Sequence, residues 1–498
     1  MTALSLASVL AEPARRQPDA TALVEGSSRV TYGELWRDAR AVAAALAARG
    51  VGPGGRVALL APNVADFVRS YFGILASGGV VVPVPTLLTE GEAAQILRDS
   101  GAGAMLYHRQ FAKVGIAAAA AARIPAFEVA GLGEGHDPFR TFMTREAEDL
   151  AVIFYTSGTT GTPKGAMLSH LNLVMNATTN AFDSNGLSGD DVVMGALPLF
   201  HTFGQSAAMN ASFRVGATLV LQPRFDAAAA LELMAAEGVT RFLGVPTMFI
   251  QLLRAAPGAA RLPRLTSCTS GGAALPVAVL EEFEKVFDTT IYEGYGLSET
   301  SPTATVNQRA FGTRAGTVGH SVWGVEVEIA DAAVLDRIEL LAPGETGEIV
   351  IRGHNVFAGY LNRPEETAEV MVDGWFRTGD IGTKDADGFV TIVDRRKDLI
   401  IRAGFNVYPR EVEEVLIRHP DVGQVAVIGV PDADRGEEVC AVVVARPGHS
   451  IDPDALVAWG KERLARHKYP RLVRVLPELP VGPSQKVLKR ELRRQFSA

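Results

Sequence analysis

Cysteine is nearly absent from this chain, with two residues in 498, Cys268 and Cys440, far apart. Two such thiols cannot make a zinc cluster or a disulfide framework, and a reducing, cytoplasmic setting is the expectation. Long apolar runs are missing too. The most apolar stretch, Tyr71 to Pro85, is interrupted by glycine and proline, and the alanine-rich run Gly115 to Ala122 is far shorter than a bilayer requires. No integral membrane association is expected. The N-terminus carries no positive charge ahead of its short apolar stretch, so a secretory leader is not expected either. Positive charge is not in excess: the net charge is −8, which argues against a nucleic-acid binder. Tandem repeats are absent.

What is present is ordinary globular usage, 47% apolar and 21% charged residues, in a chain long enough for roughly three domain-sized units. The first 330 residues alternate helical and strand-like segments. Tyr32 to Ala48, Asn63 to Ala76 and Ala227 to Glu237 read as helices. Arg56 to Ala61, Val80 to Val84, Ala151 to Phe154 and Ala217 to Leu221 read as strands. Such alternation predicts parallel sheets covered on both faces. From Gly344 the texture turns β-rich, with GETGEIVIRG, DGWFRTGD and DADGFVTIVD as short strands and turns. After Arg395 the pattern fits a small α+β unit, with helices over Glu411 to Arg418 and Pro453 to Arg466 and strands over Gln424 to Val430 and Glu438 to Val444. Between Lys461 and Arg494 basic residues far outnumber acidic ones. Such a run reads as a solvated face or as a lid over phosphates.

Directly after the strand at Ala151 comes YTSGTTGTPKG, Tyr155 to Gly165. Glycines that admit backbone N–H groups, hydroxyls that donate and one lysine make a phosphate nest. It is not a Walker loop, because Pro163 precedes Lys164 and Gly165 follows it. The G-x-G-x-x-G dinucleotide fingerprint is missing as well.

YTSGTTGTPKG resembles the signature loop of the AMP-forming acyl-adenylate superfamily, which includes acyl- and aryl-CoA ligases. Further segments follow in that family's order: LPLFHTFG (197–204), SGGAALP (270–276), YEGYGLSET (292–300), GEIVIRG (347–353), WFRTGD (375–380), DRRKDLIIRAGFNVYPREVE (394–413) and PSQKVLKREL (483–492). The resemblance spans nearly the whole chain. It implies an α/β fold: a large N-terminal domain of several subdomains (1–393), with parallel-type sheets and a β-rich part, and a small mobile α+β domain (394–498) that rotates about a hinge at Asp394.

It implies a chemistry in two halves. A carboxylate attacks the α-phosphate of Mg·ATP and expels pyrophosphate, and a thiol then displaces AMP. By the family pattern Thr156, Ser157, Gly158, Thr159, Thr160 and Lys164 cradle phosphates, and Glu299, after Ser298, holds Mg²⁺. Tyr295, between Gly294 and Gly296, stacks on adenine, with Gly271, Gly272 and Ala273 opposite. Asp380 and Arg395 meet the ribose. Lys486 bridges the attacking carboxylate and the α-phosphate, joined in the catalytic set by Thr156, Glu299 and His201. Where the family has glycine before that lysine, this chain has Gln485, so a degenerate nucleotide or acyl binder is an alternative.

The same resemblance implies that His201 borders the acyl pocket and the CoA channel, the latter with Gly404 and Phe405. FHTFGQSAAMNASF contains no acid to pair with an amino-acid ammonium. Phe203, Gly204, Met209, Val245, Gly271 and Gly272 suggest an apolar tunnel. Medium- or long-chain fatty acids are the first candidates, with aryl acids open. CoA is the first-choice acceptor, and an acyl carrier protein is the alternative.

Overall fold

Helical period and capping chemistry coincide at Tyr32–Ala48. Thr31 accepts the Glu34 N–H, and the Glu34 carboxylate accepts the Thr31 N–H in return. Leu35, Ala39, Val42 and Leu46 recur at helical spacing on its buried side. This computed structural model describes residues 3–156, 163–395, 398–432, 434–482 and 486–496.

Two large mixed sheets carry the first part of the chain. In a nine-stranded sheet, Thr21–Glu25, Thr218–Leu221, Val192–Gly195, Arg241–Gly244, Ser267–Ser270 and Ile291–Gly296 run parallel, with antiparallel strands at both edges. A six-stranded sheet is parallel except for the hairpin of Leu150–Thr156 with Lys164–Ser169. Between them lies the largest apolar core, with Phe67, Tyr71, Phe72 and Phe213 fully buried. Helix on sheet throughout, this is the expected α/β arrangement.

The β-rich segment is a five-stranded sheet in which Val325–Ala330, Gly347–Gly353, Trp375–Lys384 and Val390–Arg395 pair antiparallel. Its register sets Asp380 directly opposite Arg395. Residues from Ile400 onward build separate cores, around Val412, Leu416, Val427 and Val443 on one face of their sheet and Ile428, Val442 and Leu492 on the other.

Several expected boundaries move, the helix foreseen over Glu411 to Arg418 to Pro409–Leu416 among them, and at two elements the physical reason is plain. The helix foreseen from Asn63 begins at Ala65, because the Asn63 amide is used elsewhere. It donates to the carbonyls of Gly195 (2.9 Å) and Leu197 (2.8 Å) and accepts the Leu199 N–H (2.9 Å). The helix from Pro453 stops at Arg463 rather than Arg466, since Leu464 turns extended and packs on the small unit's core.

Candidate active site

In open α/β sheets ligands sit beyond the carboxyl ends of the parallel strands. That edge is where the predicted residues gather. Val245 follows Arg241–Gly244, Gly271 and Gly272 follow Ser267–Ser270, and the loop to His201 follows Val192–Gly195. Asn63 pins that last loop through the three bonds given above. A π-helical stretch, Phe203–Asn210, then carries Phe203 toward Gly271. A Cβ on Gly271 would lie 3.2 Å from the Phe203 ring, so that wall closes around a glycine.

Asp380 is the most completely wired group. Its Oδ2 accepts the Tyr295 hydroxyl at 2.6 Å, and its Oδ1 meets Arg395 Nε at 3.2 Å. The turn before it is clamped by a buried ion pair. Glu348 Oε2 takes both Nε (2.9 Å) and Nη2 (2.6 Å) of Arg377, while Oε1 takes the Gly379 N–H (2.9 Å). Burial, reinforced by Asp380, pushes the Tyr295 phenol well above its ordinary value, so it stays a donor.

Beside this lies Glu299, 8% exposed. The Tyr360 hydroxyl donates to its Oε1 at 2.8 Å, and burial pushes its carboxyl up. The Tyr360 ring also lies 5.1 Å below the Lys164 ammonium, and Lys164 is ion-paired with Glu366. Lys164 opposes Thr156 in the hairpin register. Ser298 shares a hydrogen bond with Thr202 at 3.0 Å.

Lys486 reaches this group from the small unit. A Cβ on Gly272, whose φ is +83°, would stand 2.8 Å from Lys486 Cε and 3.3 Å from Nζ. Glycine there both permits the backbone turn and leaves the lysine its space. Burial, then Arg395, pushes the ammonium down to about 8, against the pull of Asp380 and Glu299. His201 is driven to about 3 by loss of water and by Lys486. Its Nδ1 accepts the Phe203 N–H at 3.3 Å, which leaves a neutral ring with Nε2 as its remaining polar atom.

Other predicted residues are placed less simply. Ser157, Gly158, Thr159, Thr160 and Gln485 lie outside the described residues. Gly204 backs onto the carbonyls of Leu197 and Pro198, Gly294 onto the Thr305 carbonyl and Gly296 onto the Pro302 carbonyl, so close packing already accounts for each. Ala273 is exposed. Met209 is core. Gly404 and Phe405 lie on an exposed hairpin, where the Phe405 ring, 56% exposed, stands 5.0 Å from that of His467. The Asp394 carboxylate accepts the N–H groups of Arg395 (2.7 Å) and Arg410 (3.1 Å). Much of the basic C-terminal run is ion-paired locally: Lys468 with Glu411, Lys489 with Glu413 and Arg493 with Asp398.

Sequence reasoning missed Tyr360, Glu366, Glu348, Arg377 and Asn63. Their signals are weak, since each acts through a partner distant in sequence. Among the described residues no three His, Cys, Asp or Glu side chains converge as a metal cage. A buried carboxylate satisfied by one phenol still fits a hard cation whose other ligands are phosphate oxygens and water, and Glu299 would hold it.

The AMP-binding enzyme family matches residues 10–361 and the AMP-binding enzyme C-terminal domain residues 411–486. The chain belongs to this adenylate-forming family. It is 39% identical over 488 residues to a feruloyl-CoA synthase of Amycolatopsis sp, covering 97% of each chain. It is 37% identical over 531 residues to a long-chain-fatty-acid–CoA ligase of Bacillus subtilis, covering 98% of this chain and 94% of that one. The crystal structure of ATP-bound MatB from Rhodopseudomonas palustris superposes with a TM-score of 0.90 at 33% identity, covering 99% of both chains. Among the described residues no helix is long and apolar enough to cross a membrane.

Proposed function

We propose that this chain is an AMP-forming acid–CoA ligase that activates a medium- or long-chain fatty acid. The observation that carries the reading is Lys486 standing against Gly272 within the field of Arg395, Asp380 and Glu299. In the first half-reaction the acid's carboxylate oxygen bonds to the α-phosphorus of ATP as the α–β bridging bond breaks. Lys486 holds the two reacting anions together and offsets their mutual repulsion. Asp380, oriented by Tyr295 and Arg395, turns its remaining acceptor capacity to the ribose hydroxyls, and Lys164 exchanges Glu366 for phosphate. Mg²⁺, when bound, supplies charge neutralisation on the leaving pyrophosphate. Neutral His201 and Phe203 bound the acyl side and exclude water from the anhydride. In the second half-reaction the CoA thiol attacks the acyl carbonyl and AMP leaves. Residues 1–393 act as the platform, and 394–498 rotate about Asp394 to exchange Lys486 for the pantetheine-lining hairpin at Gly404 and Phe405.

Aryl acids form a second reading, favoured by the Phe203 ring set against Gly271 and by the feruloyl-CoA synthase relative. An acyl carrier protein as acceptor is a third, motivated by the basic small unit. The deciding experiment is pyrophosphate release with a panel of fatty and aryl acids, followed by product mass with CoA and with a carrier protein. No release with any acid would leave only a nucleotide or acyl binder.

A further inference from the structure

The helix Val277–Phe287 starts badly on its own terms. Its N-cap is Pro276, it has no side-chain cap of its own, and its first turn holds no acid. A carboxylate nonetheless arrives there from the small unit. Glu414 Oε2 accepts the Val277 N–H at 3.4 Å across 137 residues of sequence. Four residues before it, on the same face of the helix Pro409–Leu416, Arg410 also reaches the large unit. Its guanidinium donates to the carbonyls of Ile392 (2.5 Å) and Gly316 (3.5 Å), and its backbone N–H donates to Asp394. Behind the Val277 helix start lies Glu293, which is 1% exposed, with Oε1 taken by the Leu275 N–H at 3.0 Å and Oε2 without a hydrogen-bond partner. Burial pushes the Glu293 and Glu414 carboxyls up, and the Arg410 charge offsets only part of that rise.

We propose that Arg410 and Glu414 are positioning residues that dock the small unit on the large one in the orientation that brings Lys486 to the nucleotide site. Each satisfies groups of the large unit that rotation would strip of their partner: a helix N-terminus for Glu414 and two carbonyls for Arg410. Neither touches the reacting atoms. Both act through the placement of Lys486. The inference rests on the reading of Lys486 as the adenylation lysine, and its test therefore includes a measurement that needs no turnover.

Arg410→Met and the milder Glu414→Gln are each assayed for pyrophosphate release without CoA and for thioester formation from supplied acyl-adenylate. In parallel, energy transfer is recorded between dyes on cysteines introduced at exposed Glu282 and Lys461, the native cysteines being buried. Adenylation should slow about 10- to 100-fold in Arg410→Met, the scale of losing hydrogen bonds to a charged group, and less in Glu414→Gln. Thioester formation should stay within about twofold. Transfer efficiency should shift in both variants without any ligand. Equal loss in the two half-reactions, or unchanged transfer in both variants, overturns the proposal. If Arg410→Met does not fold, Glu414→Gln carries the test alone. A wild-type protein that releases no pyrophosphate refutes the proposed function, while the transfer measurement still decides the docking.

Discussion

Asp380 and Glu299 belong to the large unit, Lys486 to the small one, and the two sides enter the site in different electrostatic condition. The carboxylates come with partners that folding of the large unit has already attached: Tyr295 for Asp380 and Tyr360 for Glu299. Lys486 comes into surroundings that disfavour its charge, since burial and Arg395 outweigh the two acids. A platform that must hold a nucleotide repeatedly benefits from preorganised dipoles. On the proposed rotation, a group that enters and withdraws benefits from a weakly held resting place, which the nucleotide's phosphates would strengthen only when bound.

The sharpest way to break this contrast is to remove the visiting group. Lys486→Ala should cut adenylation on the order of 10³-fold, the upper scale for one preorganised electrostatic group, and spare thioester formation from supplied acyl-adenylate. Separate assays of the two halves check it. Equal loss in both would mean that Lys486 belongs to the platform. Glu299→Gln probes the platform itself and should cost on the order of 10² in adenylation rate. Burial raises the Glu299 pKa, so its ionised form is a burden on the fold at neutral pH. The melting temperature without nucleotide should therefore hold or rise. A lower melting temperature with an unchanged magnesium response would make Glu299 structural.

A pH profile separates the two sides without removing anything. Lys486 is charged below its value of about 8 and loses its proton above it. The kcat/KM for adenylation should therefore be level below about pH 8 and fall roughly tenfold per unit above it, as for a single essential acid. Bound phosphates favour the charged form, so the arm in kcat should lie higher. Lys486→Arg, whose guanidinium keeps its proton, should abolish the alkaline arm whatever its absolute rate. An arm that persists in that variant belongs to another group.

Much of the platform was legible because it is local. The helix Tyr32–Ala48 announces itself by Thr31 and Glu34, and the strand at Trp375 by its sequence, although it runs through Gly379 to Lys384 instead of turning there. The motif-bearing residues also came together where strand ends predict. What stayed hidden is long-range satisfaction. Nothing near Asn63 says that its amide serves Gly195, Leu197 and Leu199. Nothing near Pro276 says that its helix is capped from Glu414. The π-helical turn at Phe203 is likewise a tertiary outcome, since residue types there fit an ordinary helix as well.

The smallest effect concerns Lys164, a platform lysine whose partner is exchangeable. Its ammonium pairs with Glu366, whose side chain is 33% exposed. With Lys164 itself 18% exposed, the pair is half-buried and contributes on the order of 1 kcal/mol, which ATP must displace. If Glu366 occupies the place of a phosphate, Glu366→Gln frees Lys164 and should lower the KM for ATP by up to about fivefold, with kcat nearly unchanged. If Glu366 instead orients Lys164 toward the phosphates, the same variant raises that KM. The Tyr360 ring beneath the ammonium is unaltered in either case, so the sign of the change isolates the carboxylate. Initial rates against ATP concentration at low ionic strength, where the pair is least screened, give the sign, and raising the salt should shrink the difference between variant and wild type.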